Sequence, residues 1–298
     1  MISLQTNTTS LFAQQALNNN SNFESNTIEQ LTSGYRINSS GDDAAGLAVA
    51  NQYRAEVAEL NQGVLNASNG SSTLQIIDGG LNNISNILDR LQTLATESAS
   101  GTFSGDRNTL DSEFQTLLGE INRQAQNIGL ASGGTTTTSG AIGTSQYNTA
   151  KLNVFIGGGA HVASDANSAV TIDLTTTGTS SGVTGVDVAG LGLSTGGTND
   201  DVLNTTDATT ALADVQTAIS RLGEIQGAVG AGENLLNYAT SLANSQITNL
   251  SSAESSIRDA NVAQEAANLA QAQTLQQSSI AALAQANSMP AALLKLLQ

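Results

Sequence analysis

The chain has 298 residues, with no cysteine, no tryptophan, one proline, one histidine and a formal charge of −16. Without cysteine there is no disulfide framework, thiolate metal site or thiol nucleophile, and nine Lys+Arg against 25 Asp+Glu supply no cation cluster for nucleic-acid phosphates. Hydrophobic residues at 39% and charged residues at 11% fall below soluble averages, so the excess of Ala, Ser, Thr, Asn, Gln and Gly predicts an elongated molecule, or one sharing its core with copies of itself.

Residues 1–35 carry Leu4, Leu11, Phe12, Leu17, Phe23, Ile28, Leu31 and Tyr35 among Asn and Gln, and the first basic residue is Arg36. The segment reads as an amphipathic helix, and a cleavable secretory signal is not expected there. A 4-3 spacing follows in Tyr53, Val57, Leu60, Val64, Ala67, Ser71, Leu74, Asp78 and Leu81, continued by Ile84, Leu88, Leu91 and Ala95. That spacing predicts one long coiled-coil helix, with Asp42 as its N-cap and Gly101 with Ser104-Gly105 as its stop. About 55 residues in one helix would extend roughly 80 Å. Gly63, Gly70, Gly79 and Gly80 each weaken it by up to about 1 kcal/mol relative to Ala, so packing against neighbours must supply the order. A second helix starts at Asp106, with Leu110, Phe114, Leu117, Ile121 and Ile128 along one face.

Residues 131–204 change texture to Gly, Ser and Thr, with three β-branched runs at 153–156, 170–174 and 183–188 that predict short strands. The Thr-rich stretches at 135–140 and 175–181 read as polar loops. Beyond residue 205 helical periodicity returns in Leu212, Val215, Ile219, Leu222, Ile225 and Val229, then Leu236, Ala239, Ala243, Ile247, Leu250, Ala253, Ile257 and Ala260. Residues 262–298 are amphipathic again, with Pro290 at the first turn of a short last helix. The two chain ends have no partner within their own arms, so they are expected to pair with each other or to order on meeting other subunits. The fold class is therefore mainly α: a long antiparallel coiled-coil helical rod built from both chain ends, with a small β-rich central element. No window approaches 18 apolar residues, so membrane insertion is not expected.

A search for chemistry finds no constellation. His161 stands alone beside Gly157-Gly158-Gly159, which lack the context of a phosphate loop, and they read as a strand-end turn. Asp42-Asp43 and Asp200-Asp201 lack calcium-loop spacing. Glu56, Glu59, Glu113 and Glu120 read as solvated helix faces. No catalytic residue, cofactor or metal site is assigned, and the chain is not expected to be an enzyme.

Two blocks carry a family resemblance. The run 31–46, Leu-Thr-Ser-Gly-Tyr-Arg-Ile-Asn-Ser-Ser-Gly-Asp-Asp-Ala-Ala-Gly, and its continuation through Asn51 closely resemble bacterial flagellin. So do 256–261, Ser-Ile-Arg-Asp-Ala-Asn, and the stretches 272–277 and 283–287, with Pro290 and Leu293-Leu294 beyond them. The resemblance covers about 1–130 and 205–298, and residues 152–157 fit the β part of that family's inner domain. It implies terminal inner-tube helices at 1–43 and 258–298, a rod core at 44–130 and 205–257, and a small exposed element at 131–204 in place of large outer domains. It implies a self-assembling, extracellular filament subunit for swimming motility, with a hook–filament junction protein or a coiled-coil surface adhesin as alternatives. The implied partners are further copies of the chain, the export apparatus with its chaperone, and the cap and junction proteins. Implied assembly contacts are Leu31, Tyr35, Arg36, Asp42, Asp43, Arg258, Leu275, Leu283, Leu293 and Leu294. A contact for the vertebrate Toll-like receptor is implied at Arg90, Leu94 and Glu113, although Gln92 and Thr93 replace the arginine and glutamate usual in strongly sensed members.

Overall fold

The computed structural model of the chain describes residues 7–131, 151–157, 168–174, 185–193 and 201–296. Among them run α1 (Thr8–Ser33), α2 (Ala44–Ala99), α3 (Arg107–Asn127), β1 (Lys151–Phe155), β2 (Ala169–Asp173), α4 (Val188–Leu191), α5 (Thr205–Arg258) and α6 (Val262–Leu296). The Thr-rich loops, His161, Gly158, Gly159 and Asp200 fall outside the described residues. Contacts divide the chain into two compact units, Met1–Val57 with Thr248–Gln298, and Ala58–Ile247.

In the unit Ala58–Ile247, α2 lies antiparallel to both α3 and α5. Arg90 meets Glu113 and Ser98 meets Arg107 along one pair, while Asn82 bonds Gln226 and Gly70 lies against Leu236 along the other. The helix ends are closed locally. Asp106 accepts from the Asn108 amide to cap α3, as expected, and the Asn204 carboxamide accepts from the Thr206 and Asp207 amides to start α5. Arg107 donates to the Ser98 and Ser100 carbonyls that end α2. Val202 ties the chain before α5 to both neighbours: its amide donates to Asp111 and its carbonyl accepts the buried Ser98 hydroxyl.

The buried seam of α2 differs from the expected trace. Val64, Ser71 and Asp78 are only half-buried, and the buried line runs Leu60, Gly63, Ala67, Gly70, Leu74, Ile77, Leu81, Ile84, Leu88, Leu91 and Ala95. Its steps alternate three and four without a break, so the heptad period is right, but up to Leu81 every second position is one residue off. The reason is β1 and β2, an antiparallel hairpin with Leu152 opposite Ile172 and Val154 opposite Val170. Leu152, Val154, Ile156 and Ile172 point inward and are buried, while Asn153 and Thr171 pair on the outer face. The hairpin lies on the glycines. A Cβ at Gly63 would fall inside the Ile156 carbonyl, one at Gly70 would come within 2.8 Å of Val154, and one at Gly232 of α5 within 2.6 Å of Ile172. Asn66 of α2 fixes the contact by donating to the Phe155 carbonyl at 3.0 Å.

Four further expectations shift. Leu118 rather than Leu117 is buried on α3, and Ala211 and Ala218 rather than Leu212 and Ile219 take the seam of α5. No strand forms at the described part of 183–188. There Asp187 accepts from the Gly190 amide and caps the single turn of α4, while the Val188 amide donates to Asn122. Helix α6 runs through Pro290 without a separate last helix.

The glycine contacts predict substitutions of opposite sign in one helix. Gly63→Ala is expected to lower stability by roughly 1–3 kcal/mol, the usual cost of overfilling a packed site, despite its gain in helix propensity. A Cβ at Gly79 would meet nothing within 4 Å, so Gly79→Ala should raise stability by up to about 1 kcal/mol. Urea denaturation of the full chain reads both, and stabilisation by Gly63→Ala would remove the hairpin from that glycine.

Candidate assembly site at the paired chain ends

The unit Met1–Val57 with Thr248–Gln298 joins the two ends of the sequence, as expected for segments lacking a partner in their own arms. α1 and α6 lie antiparallel: Asn7 bonds Ala286, Asn20 bonds Ser279, and Gly34 meets Ala260. The seam of α1 again steps by three and four, through Ser10, Ala13, Leu17, Asn20, Glu24, Thr27 and Leu31. Facing residues on α6 include Ala272, Gln276, Ser279, Leu283 and Ala286. The fully buried residues inside this pair are thus small or polar, with Leu17, Leu31 and Leu283 half-buried between them. Thr27 is 1% exposed, its hydroxyl donating to the Phe23 carbonyl, whereas Phe12 is 72% exposed. Leu11, Phe23 and Ile28 on α1 and Val262, Leu275 and Ile280 on α6 are likewise exposed. A hairpin that fully buries Ser, Thr and Ala while turning Phe12, Phe23, Ile28 and Ile280 outward departs from the ordinary arrangement of a helical pair.

The open end of the hairpin is a clasp. α1 stops at Gly34, whose φ of +74° is the left-handed cap that favours glycine and whose amide returns to Gln30. The chain then pairs across the two ends: the Arg36 amide donates to the Arg258 carbonyl at 2.7 Å, and the Ala260 amide to the Gly34 carbonyl at 2.9 Å. Tyr35 and Asp259 form the bridge between them. Side chains reinforce it. The Arg258 guanidinium stacks over the Tyr35 ring at 4.1 Å, and Arg36 Nη2 donates to the Ile257 carbonyl at 2.7 Å. Glu254 stands 3.9 Å from Arg258, one turn earlier on α5. Arg258 Nε is buried without a hydrogen-bond partner.

The loop that follows is held by two adjacent carboxylates in different roles. Asp42 Oδ2 accepts from the Ser39 amide at 2.8 Å and the Asn38 amide at 3.0 Å, closing a turn over the buried Ile37. Asp43 Oδ1 accepts from the Gly46 amide at 2.9 Å and caps α2. The N-cap is therefore Asp43 and not Asp42, because the Asp42 side chain is already committed to the turn. Those two amides hold the Asp42 carboxyl below its ordinary value, the Ser39 bond contributing most.

Of the residues singled out by sequence, Tyr35, Arg36 and Arg258 meet in the clasp, and Asp42 and Asp43 shape the loop beside it. Leu31 and Leu283 line the seam, Leu275 is exposed, and the side chains of Leu293 and Leu294 lie outside the described residues. In the other unit Arg90 and Glu113 form an exposed ion pair at 2.6 Å. Leu94 is fully buried in the α2 seam, which separates it from any surface that those two present. Sequence reading passed over Asn7, Asn20 and Thr27. Asn7 is a favoured N-cap residue ahead of the Leu11-Phe12 run, a signal that could have been read. Among the described residues no group of three or more His, Cys, Asp or Glu is arranged to hold a metal ion, and no helix is long and apolar enough to cross a membrane.

Comparisons with known proteins match both ends of the chain to one family. The family model of the bacterial flagellin N-terminal helical region matches residues 4–129, and that of the C-terminal helical region matches residues 212–297. The chain is 32% identical to "Flagellin FlaB1" of Treponema pallidum over 98% of both chains. It is 33% identical to a flagellin of Halalkalibacterium halodurans over 91% of this chain and 90% of that one. A flagellin of Listeria monocytogenes is 33% identical over 99% of both.

Two measurements probe the clasp. Arg258→Lys keeps the charge but loses the planar stack, which is worth about 0.5–1 kcal/mol at such a site. Exchange of the Arg36 and Ala260 amides should quicken about two- to five-fold, and unchanged exchange would show that the ring contact holds nothing. The second uses pH. A carboxyl with a lowered folded pKa stabilises above its unfolded value and loses that contribution as pH falls through the folded one. The Asn38 and Ser39 amide resonances should therefore titrate together below the ordinary value of 3.8. Asp42→Asn should abolish that step, and its persistence would assign it to another group.

Proposed function

The chain belongs to the bacterial flagellin family, and on that premise we propose that this structural subunit of the extracellular flagellar filament uses its paired ends as the surface that copies bury against one another. The observation that carries the reading is this hairpin, with Phe12, Leu11, Phe23, Ile28, Leu275 and Ile280 exposed outside and Thr27, Ser10 and Ala272 buried inside. Ordering a residue costs about 1–2 kcal/mol of backbone entropy, and a seam of small or polar residues with half-buried leucines returns only part of it. Neighbouring copies supply the remainder by covering the outward faces, at roughly 1.5–3 kcal/mol for each large side chain fully buried. Folding of the ends and polymerisation then become one event.

In this reading residues 1–43 with 258–298 form the inner tube and residues 44–130 with 205–257 form the core of the wall, against which the hairpin of β1 and β2 packs. Leu31, Tyr35, Arg36, Asp42, Asp43, Arg258, Leu275, Leu283, Leu293 and Leu294 act in assembly, the clasp residues by fixing where the ends cross and the leucines by packing. The subunit travels by type III export with its chaperone, which suits ends that fold late, and meets cap and junction proteins at the filament tips. The exposed Arg90–Glu113 pair is the part of the receptor surface that this subunit offers, without Leu94. The role is mechanical, and no step in it requires catalysis.

Amide exchange over α1 and α6 tests the proposal directly. It should be fast in the free subunit and slow in the polymer, while the α2 and α3 seams stay protected in both. Equal protection of the ends in both states would refute folding on assembly. The −16 charge adds a second outcome. Moderate salt screens repulsion between packed acidic subunits, so the disassembly temperature of the polymer should rise from low to moderate ionic strength. A steady fall over that range would contradict it.

A further inference from the structure

α6 runs helically from Val262 to Leu296 and so passes through Pro290. Proline has no N–H, and the carbonyl four residues earlier, that of Ala286, loses the donor that a helix interior supplies. At that carbonyl stands a side chain from the opposite end of the chain: Asn7 Nδ2 donates to Ala286 O at 2.8 Å. Ala286 is buried and Asn7 half-buried, so the bond is partly shielded from water.

The other end of the same carboxamide is also engaged. Asn7 Oδ1 accepts from the Ser10 amide at 3.1 Å and from the Thr9 hydroxyl at 2.6 Å, which caps the first turn of α1. These contacts fix the orientation of the amide, since a flipped group would set oxygen against the Ala286 carbonyl and NH2 against the Ser10 amide. One side chain thus closes the start of α1 and fills the hydrogen-bond gap that Pro290 opens in α6.

We propose that Asn7 is a cross-terminal latch: its carboxamide substitutes for the N–H that Pro290 withholds, so that α6 extends past Ala286 only when α1 lies beside it in this register. Without α1 the helix has a built-in break at Ala286–Pro290, and the last turns of the chain stay unformed. With α1 in place, capping of one helix and completion of the other occur together. The latch rests on the pairing of α1 and α6 and is independent of the filament reading.

A double-mutant cycle on the full chain tests it. Asn7→Ser keeps a good capping oxygen but is too short to reach Ala286, and Pro290→Ala restores the missing backbone donor. Hydrogen exchange is followed by mass spectrometry in peptides covering 280–296, in the free subunit and in polymer. In whichever state α6 is protected, Asn7→Ser should speed exchange about five-fold, the value of one ordinary hydrogen bond. In the Pro290→Ala background the same change should have less than about a two-fold effect. Equal acceleration in both backgrounds would reduce Asn7 to a cap for α1 and overturn the latch. So would no acceleration, or no protection beyond Ala286 in either state. Failure to polymerise with the cycle intact in the free subunit would count against the filament reading alone.

Discussion

Backbones in this protein come close because small residues let them, and the rest of the structure depends on that constraint. With five Phe, four Tyr and no Trp, the chain has few side chains able to span a wide gap between helices. It closes the gap instead. Glycine on the inward line of α2 admits the Ile156 backbone directly, and Gly70 and Gly232 admit Val154 and Ile172. Once the hairpin sits there, Leu152, Val154 and Ile156 reach the α2 and α5 seams, and Leu, Ile and Phe from α2, α3 and α5 fill the remaining volume. The glycines weaken the isolated helix but stabilise the packed one.

This also explains what the sequence could and could not disclose. The period of α2 and α5 was legible because apolar residues recur over many turns, and Asp106 announced the start of α3. The register was not, because a trace drawn through visible apolar side chains passes over glycine and settles on Val64, Ser71 and Asp78. Likewise Val183 to Val188 has the composition of a strand, yet one hydrogen bond from the Gly190 amide to Asp187 turns its end into a helical cap. Asp42 and Asp43 are interchangeable as letters, and only the turn at Asn38-Ser39 decides which one caps α2. Leu94 matched a surface motif by position, while the burial of its helix face was a tertiary fact. Filament function came from the two terminal blocks, whose clasp places Tyr35, Arg36 and Arg258 together across more than 200 positions of sequence. Composition alone had reached only assembly.

The two units solve the problem of a thin core in different ways. In Ala58–Ile247 a continuous line of Leu and Ile with Phe114 is buried, so that unit holds much of its stabilisation within one chain, although Leu65, Ile76, Tyr238 and Leu242 stand exposed. In the paired ends much of the exposed apolar surface lies on Phe and Ile turned outward. Hydrogen bonds and stacking join the half-buried leucines on the inside: Asn7 to Ala286, Asn20 to Ser279, Arg258 over Tyr35. Such bonds contribute about 1 kcal/mol each, too little to offset the ordering of two long helices, but they are directional. They set register, and hydrophobic burial by neighbouring copies sets stability. Dividing the tasks in this way keeps a free subunit from satisfying its own sticky faces in a wrong register. It also confines tight association to copies whose ends settle into the right one as they assemble.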